Sequence, residues 1–104
     1  MNRKYQLVLQ WPASASADFD VLIALEDLLR RNLLDESRVD GHDLGSGEMN
    51  IFVLTDGPQS AFDSARRTLQ VHALWPQMRA AYREIDGEAY TILWPADLKT
   101  FGVV

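Results

Sequence analysis

Four side chains capable of acid–base chemistry or metal binding lie close together in the middle of the chain: Asp40, His42, Asp43 and Glu48. Histidine changes its charge near neutral pH and carboxylates bind hard or borderline cations, so the group could form an acid–base pair or a metal site. In a regular strand, however, Asp40 and His42 share a face and Asp43 points to the other. The alternative is a solvated turn in which Asp and Gly serve the backbone conformation. We therefore predict no metal site, and catalysis here would need His42 as the base with Asp40 or Glu48 as its orienting carboxylate.

Other motifs with a defined chemistry do not occur in the sequence. Gly45-Ser46-Gly47 precedes a predicted strand rather than a helix and has no lysine beside it, so it indicates a turn and not a phosphate-binding loop. No serine stands in a G-x-S-x-G pattern, and a chain without cysteine has no thiolate ligand, cysteine nucleophile or disulfide. His72 falls late in a predicted helix, where interaction with the helix dipole is the simplest interpretation. The sequence predicts no cofactor.

The cluster lies on a predicted hairpin, residues 38–56, around which the rest of the chain is organised. A polar strand leads to the Gly-Ser-Gly turn and contains few aliphatic residues, which predicts a short, exposed strand near the edge of a sheet. The strand from Met49 to Leu54 then returns into the core. Its apolar residues fall on both faces, which favours an interior position or an open sheet face that meets another partner.

Periodicity before the hairpin predicts one strand and one helix. The strand alternates from Tyr5 to Trp11 and ends at Pro12. A short linker, residues 13–17, leads to an amphipathic helix capped by Ser16 or Asp18. Its apolar stripe consists of Phe19, Val21, Leu22, Ile23, Leu25, Leu28, Leu29 and Leu33. The pairs Glu26–Arg30 and Asp27–Arg31 are placed on the opposite, outer face as i,i+4 ion pairs.

After the hairpin, the pattern predicts a second helix and two more strands. Pro58 occupies the first helical position, with Asp56 or Gly57 as the cap, and the helix ends before Trp75-Pro76. Two strand-like runs, residues 78–85 and 89–94, flank Asp86-Gly87, a strong hairpin signal.

The predicted order, β-α-β-β-α-β-β, is the two-layer ferredoxin-like α+β plan with an additional C-terminal strand, in a single domain covering residues 1–104. Two helices would cover one face of an antiparallel sheet, with the first strand lying centrally. The other face would be open and is predicted to carry Gln6, Val8, Gln10, Asn50, Phe52 and Leu54. Soluble monomers seldom leave a large apolar area uncovered, so an open face predicts an interaction surface.

Charge and composition bear on the class of partner. The chain has 15 acidic and 10 basic residues, a net charge of −5, and no cluster of Lys and Arg. Nucleic acid and anionic membranes are therefore not expected as partners, because both are bound through basic surfaces. The apolar run near the start is too short for a signal peptide and no run approaches a membrane span, so we expect a cytoplasmic protein.

Three segments resemble small uncharacterised bacterial proteins of about this length that contain the same hairpin. The segments are residues 40–52, 81–87 and 90–95. The resemblance implies a bacterial cytoplasmic setting and brings no activity, cofactor or site residue with it.

Three functions remain open at this point. The first is a non-enzymatic binding or regulatory module that acts through its open sheet face or the hairpin, with another protein or a second copy of itself, as a homodimer, for its partner. Its predicted binding residues are Asp40, His42, Asp43, Glu48, Asn50 and Phe52. The second is an immunity-type inhibitor whose acidic hairpin masks a basic protein. The third is a small dimeric enzyme with a pocket near His42.

Overall fold

The computed structural model describes residues 4–12, 18–32, 37–45, 47–70 and 77–103. Those residues form an α+β fold with a five-stranded antiparallel sheet and two helices. The elements are β1 (Tyr5–Pro12), α1 (Asp18–Asn32), β2 (Ser37–Gly45), β3 (Glu48–Thr55), α2 (Pro58–Leu69), β4 (Arg79–Glu84) and β5 (Thr91–Trp94). Across the sheet the order is β2-β3-β1-β4-β5, so β1 is central and β2 and β5 are the two edges. The prediction of a short second strand is wrong, since β2 is nine residues long. The predicted α+β class and the antiparallel sheet are confirmed.

One face of the sheet, which we call the helix side, packs against both helices. Alternate residues of β1 and β3 supply its sheet layer, and every one of them is buried: Leu7, Leu9, Trp11, Met49, Ile51 and Val53. The helices contribute Leu22, Leu25, Leu29, Phe62, Ala65 and Leu69 to the same cluster. Full burial of each large side chain stabilises the fold by about 1.5–3 kcal/mol. This core fixes how α1 sits over the β2 edge.

The start of α2 follows the predicted cap. Gly57 is the N-cap residue and Pro58 begins the helix, where its missing N–H would have no partner in any case. Thr55 prepares this turn, since its hydroxyl accepts a hydrogen bond from the Gly57 N–H at 3.0 Å.

The stripe predicted for α1 is rotated in the structure. Phe19 and Ile23, assigned to the core, are 47% and 38% exposed, whereas Glu26, assigned to the outer face, is only 5% exposed. Both predicted ion pairs form, Glu26–Arg30 at 3.4 Å and Asp27–Arg31 at 3.0 Å. The placement of Glu26 on the outer face is therefore wrong, although its partner is the predicted one.

The second face of the sheet, opposite the helix side, is closed at its centre. Val8, Gln10, Asn50 and Ala81 are buried there, and Phe52 is partly buried. The Gln10 side-chain N–H₂ donates to Asn50 Oδ1 at 2.9 Å and to the Gly102 carbonyl at 3.0 Å. The segment after β5 thus reaches this face, and the fully open face expected from the sequence is not found.

The β4–β5 hairpin forms as predicted, but its loop is longer than Asp86-Gly87. Thr91 pairs with Tyr82, so residues 85–90 connect the strands. The Arg83 guanidinium closes this loop through Nη1, which donates to the carbonyls of Glu84, Ile85 and Gly87 at 3.2, 2.8 and 3.0 Å.

Several sequence predictions concern positions outside the described residues. They are the linker at 13–17, including Ser16, and Leu33, Ser46, His72 and Trp75-Pro76.

Candidate functional site

The predicted base, His42, has a carboxylate partner on the first helix. His42 lies opposite Ile51 in the β2–β3 register, so its side chain is on the helix side at the edge of the sheet. Its Nδ1 is 3.0 Å from Glu26 Oε2. The Glu26 side chain is 6% exposed and that of His42 is 30% exposed. The structure thus supplies a buried carboxylate that orients a partly exposed imidazole.

A β-bulge explains why Asp40 is not the partner of His42. The register shifts between Val39 and Gly41, and Asp40 has no residue opposite it. Val39 faces Val53 and His42 faces Ile51, so both point to the helix side with a bulge between them. Gly41 has a φ of 154°, which glycine adopts without the strain a Cβ would cause. The regular alternation predicted for Asp40 and His42 fails at this bulge, and Asp40 is exposed.

Exposed apolar side chains surround His42. Across the described residues, the exposed large hydrophobics are Phe19, Ile23, Leu44 and Ile85. The Phe19 ring meets the His42 ring edge-on at 6.0 Å between centroids. Ile23 follows Phe19 by one helical turn, and Leu44 follows His42 on the same side of β2. We call Phe19, Ile23, His42 and Leu44 the edge patch.

The remaining predicted site residues lie on the second face and do not converge with His42. Asp43 is opposite Asn50, which is opposite Gln10, and Phe52 is opposite Val8. Glu48 accepts a hydrogen bond from Arg79 Nη2 at 2.8 Å and so pairs β3 with β4. The cluster Asp40, His42, Asp43 and Glu48 is therefore divided between the two faces of the sheet and the bulge.

Buried polar atoms accumulate at the end of the second face. Asn50 Nδ2 and Glu48 Oε1 are buried and have no hydrogen-bond partner among the described residues, although the other polar atom of each side chain is paired. Such a group costs about 1–3 kcal/mol when it is left unpaired. Asn50 is fully buried, so a partner would reach it only after the segment around Gly102 moves.

The chemistry available at the edge patch is that of a single imidazole with one carboxylate. Within the described parts of the chain, no group of three or more His, Asp and Glu side chains is arranged to hold a metal ion. His42 can donate or accept one hydrogen bond through its second ring nitrogen while Glu26 holds the first. This suits hydrogen bonding to a partner as well as proton transfer.

Four members of this arrangement were not among the site residues predicted from the sequence: Glu26, Phe19, Ile23 and Leu44. A signal for Glu26 exists, because it is four residues after Leu22 and three before Leu29 and so lies within the buried stripe. A carboxylate in such a stripe needs a partner, and His42 on the adjoining strand provides it. The exposure of Phe19 and Ile23 depends on where the edge of the sheet falls, which periodicity does not give.

Comparison with known proteins identifies no relative: no family model, curated protein or solved structure matches the chain. Neither described helix has the length and apolar character needed to cross a membrane. The cytoplasmic setting stays a prediction, as do the binding roles of the hairpin residues.

Proposed function

We propose that the protein is a non-enzymatic binding module that docks another protein through the β2 edge of its hairpin. The observation that carries this proposal is the concentration of exposed large hydrophobic residues at that edge. Of the four such residues described, Phe19, Ile23 and Leu44 belong to the edge patch. Scattered exposed apolar residues are ordinary, whereas a contiguous set beside functional polar groups is typical of interaction surfaces.

The backbone of β2 supports the same proposal. β2 lies at the end of the strand order and is nine residues long. An edge strand presents unpaired N–H and C=O groups that can pair with an incoming strand. Short length, lysine and proline commonly block such pairing, and β2 has none of these; its protection consists of the bulge at Asp40 and the charges of Arg38, Asp40 and Asp43. His42 adds a hydrogen-bonding group at the centre, held by Glu26.

The experiment that tests this proposal selects ligands without assuming their identity. Peptides that bind the native protein are selected from a displayed library. Their affinity is then measured for the triple variant Phe19→Ser, Ile23→Ser, Leu44→Ser. We expect the variant to lose binding. The matched control is Ile85→Ser, which removes the fourth exposed hydrophobic residue away from the edge patch. Peptides that bind both variants equally, or whose NMR contacts lie away from β2, would contradict the proposal.

A second candidate, a small acid–base enzyme, is favoured by one observation. Glu26 Oε2 holds His42 Nδ1 at 3.0 Å, which is the relation between an orienting carboxylate and a general base. In this candidate a second copy completes a pocket over the imidazole. Light scattering across a salt series tests it first, since a monomer at every concentration and salt would leave His42 without a pocket wall.

We also infer that the fold is ferredoxin-like. Counted from the other edge, the strand order is β5-β4-β1-β3-β2. The four strands of the β-α-β-β-α-β plan thus take the order β4-β1-β3-β2 expected of the split βαβ plan, and β5 is added beside β4. An experimental structure that pairs β1 with β2 directly would overturn this assignment.

A further inference from the structure

The charges around the edge patch are mainly negative. Asp40 and Asp43 are exposed on β2 and Asp20 is exposed next to Phe19 on α1, and none of these carboxylates makes an ion pair with a described residue. The nearby bases of α1 are already used, since Arg30 pairs with Glu26 and Arg31 with Asp27. Arg38 of β2 is also exposed and makes no ion pair with a described residue, so the unpaired charge at this edge is three carboxylates against one guanidinium and is negative on balance.

The side chains of β2 separate these charges from the apolar residues. His42 and Leu44 point to the helix side, where Phe19 and Ile23 flank them, and Asp43 points to the second face. A strand added to β2 would place its own alternate side chains against these two sides. One side of the incoming strand would meet apolar residues, and the other would meet the Asp43 carboxylate near one end of β2 and the Arg38 guanidinium near the other.

A second copy of the chain fits this edge less well than a basic segment does. Pairing β2 with its own copy can set Arg38 opposite Asp43, but β2 carries two carboxylates and one guanidinium, so the pairing leaves an excess of like charge, which destabilises a strand pair. Both chains also carry a net charge of −5, which opposes their approach at low salt. The complementary occupant is a strand of opposite charge.

We propose that the occupant of the β2 edge is an extended segment of another protein in which apolar residues alternate with lysine or arginine. This inference rests on the proposed function and gives the partner its chemistry. The apolar residues contact Phe19, Ile23 and Leu44, the basic residues face Asp40 and Asp43, and the backbone pairs with β2. Charge complementarity raises the association rate and selects the partner, and the apolar contacts and backbone hydrogen bonds hold it.

Three short capped peptides of equal length test the proposal. The first alternates lysine with valine and leucine, the second has glutamate in place of each lysine, and the third has threonine. Each is titrated into the native protein while the backbone amide NMR signals are followed, at low and at high salt. We expect the lysine peptide to shift the amides of β2, to bind more tightly than the threonine peptide, and to weaken as salt is added.

Charge-removing variants locate the effect. The double variant Asp40→Asn, Asp43→Asn is expected to bind the lysine peptide about fivefold more weakly, which is the effect of losing two exposed charge pairs. Its affinity for the threonine peptide should not change. The matched control, Asp86→Asn with Glu88→Gln, removes two exposed carboxylates from the loop between β4 and β5 and should weaken nothing. Both variants keep the backbone and the size of the side chains, so they isolate charge from folding.

The outcomes separate this inference from the proposed function. The proposal of a basic partner is overturned if the lysine and threonine peptides bind β2 equally tightly. It is also overturned if the two charge variants lose equal affinity for the lysine peptide. Either result leaves β2 as the docking edge. Tighter binding of the glutamate peptide overturns the basic partner as well. If the lysine peptide shifts amides only away from β2, both the inference and the proposed function fail.

Discussion

At one edge of the sheet β2 runs for nine residues beside exposed Phe19 and Ile23, whereas at the other edge β5 has only four residues. The aromatic residue of β5 is turned inward: the Trp94 ring lies 6.4 Å from that of Phe62 and 5.1 Å from the guanidinium carbon of Arg66. The β5 edge therefore uses its apolar surface to hold the fold, and a short strand offers little for pairing.

The β2 edge keeps its apolar surface outside. β2 is attached to the molecule by its backbone ladder with β3, by Val39 in the core and by the contact of His42 with Glu26. Exposed apolar side chains that contribute little to folding are typical of a surface that associates with a partner. The difference between the edges predicts which substitutions lower stability and which lower binding.

The largest expected effect is at the β5 edge. Trp94→Ala removes the contacts with Phe62 and Arg66 and should lower the free energy of unfolding by about 2 kcal/mol, less than for a fully buried tryptophan because Trp94 is partly exposed. Urea denaturation measures the change. Trp94→Phe, which keeps an aromatic ring there, should lose well under half as much. A loss below about 0.5 kcal/mol for Trp94→Ala would show that the two edges do not differ in this way.

The next effect concerns the anchor between α1 and β2. Glu26→Ala leaves His42 without its hydrogen-bond partner and should lower the free energy of unfolding by about 1–2 kcal/mol. Alanine has a higher helix propensity than glutamate, so helix propensity cannot account for a loss of stability in this variant. The control is the adjacent Asp27→Ala, whose exposed ion pair with Arg31 contributes at most about 0.5 kcal/mol. Equal losses in urea denaturation would mean that the buried carboxylate is not an anchor.

A smaller effect is expected at the turn that joins β2 to β3. Gly47 has a φ of +80°, and Gly47→Ala should cost about 1 kcal/mol because a Cβ is strained in that conformation. Gly45→Ala is the matched control, since Gly45 does not have a positive φ and an added Cβ would meet nothing within 4 Å at either position. Thermal unfolding of both variants gives the comparison. Equal shifts in melting temperature would contradict a conformational cause.

Much of the framework follows from the sequence because it depends on local periodicity. The alternation in β1, the start of α2 at Pro58 and the paired strands on either side of the central turn are set by residues close in the chain. The coarse class, an antiparallel sheet with two helices, follows from the order of those elements.

The site is less predictable because it depends on contacts between elements. Glu26 meets His42 only when α1 lies over the β2 edge, and the bulge at Asp40 changes which residues share a face. The closure of the second face is also non-local, since Gln10 binds the Gly102 carbonyl from the far end of the chain. Periodicity within a strand contains none of this information.

The smallest expected effect on stability is the one that most directly separates the two edges. Phe19→Ser combined with Ile23→Ser should change the free energy of unfolding by less than about 1 kcal/mol, because both side chains are substantially exposed and serine matches them in helix propensity. Leu25→Ala, on the buried side of the same helix, should cost about 2–5 kcal/mol. The double variant should nevertheless lose binding of every peptide that shifts the β2 amides. A variant that unfolds as readily as Leu25→Ala would place Phe19 and Ile23 in the core, and the β2 edge would then be as closed as the β5 edge.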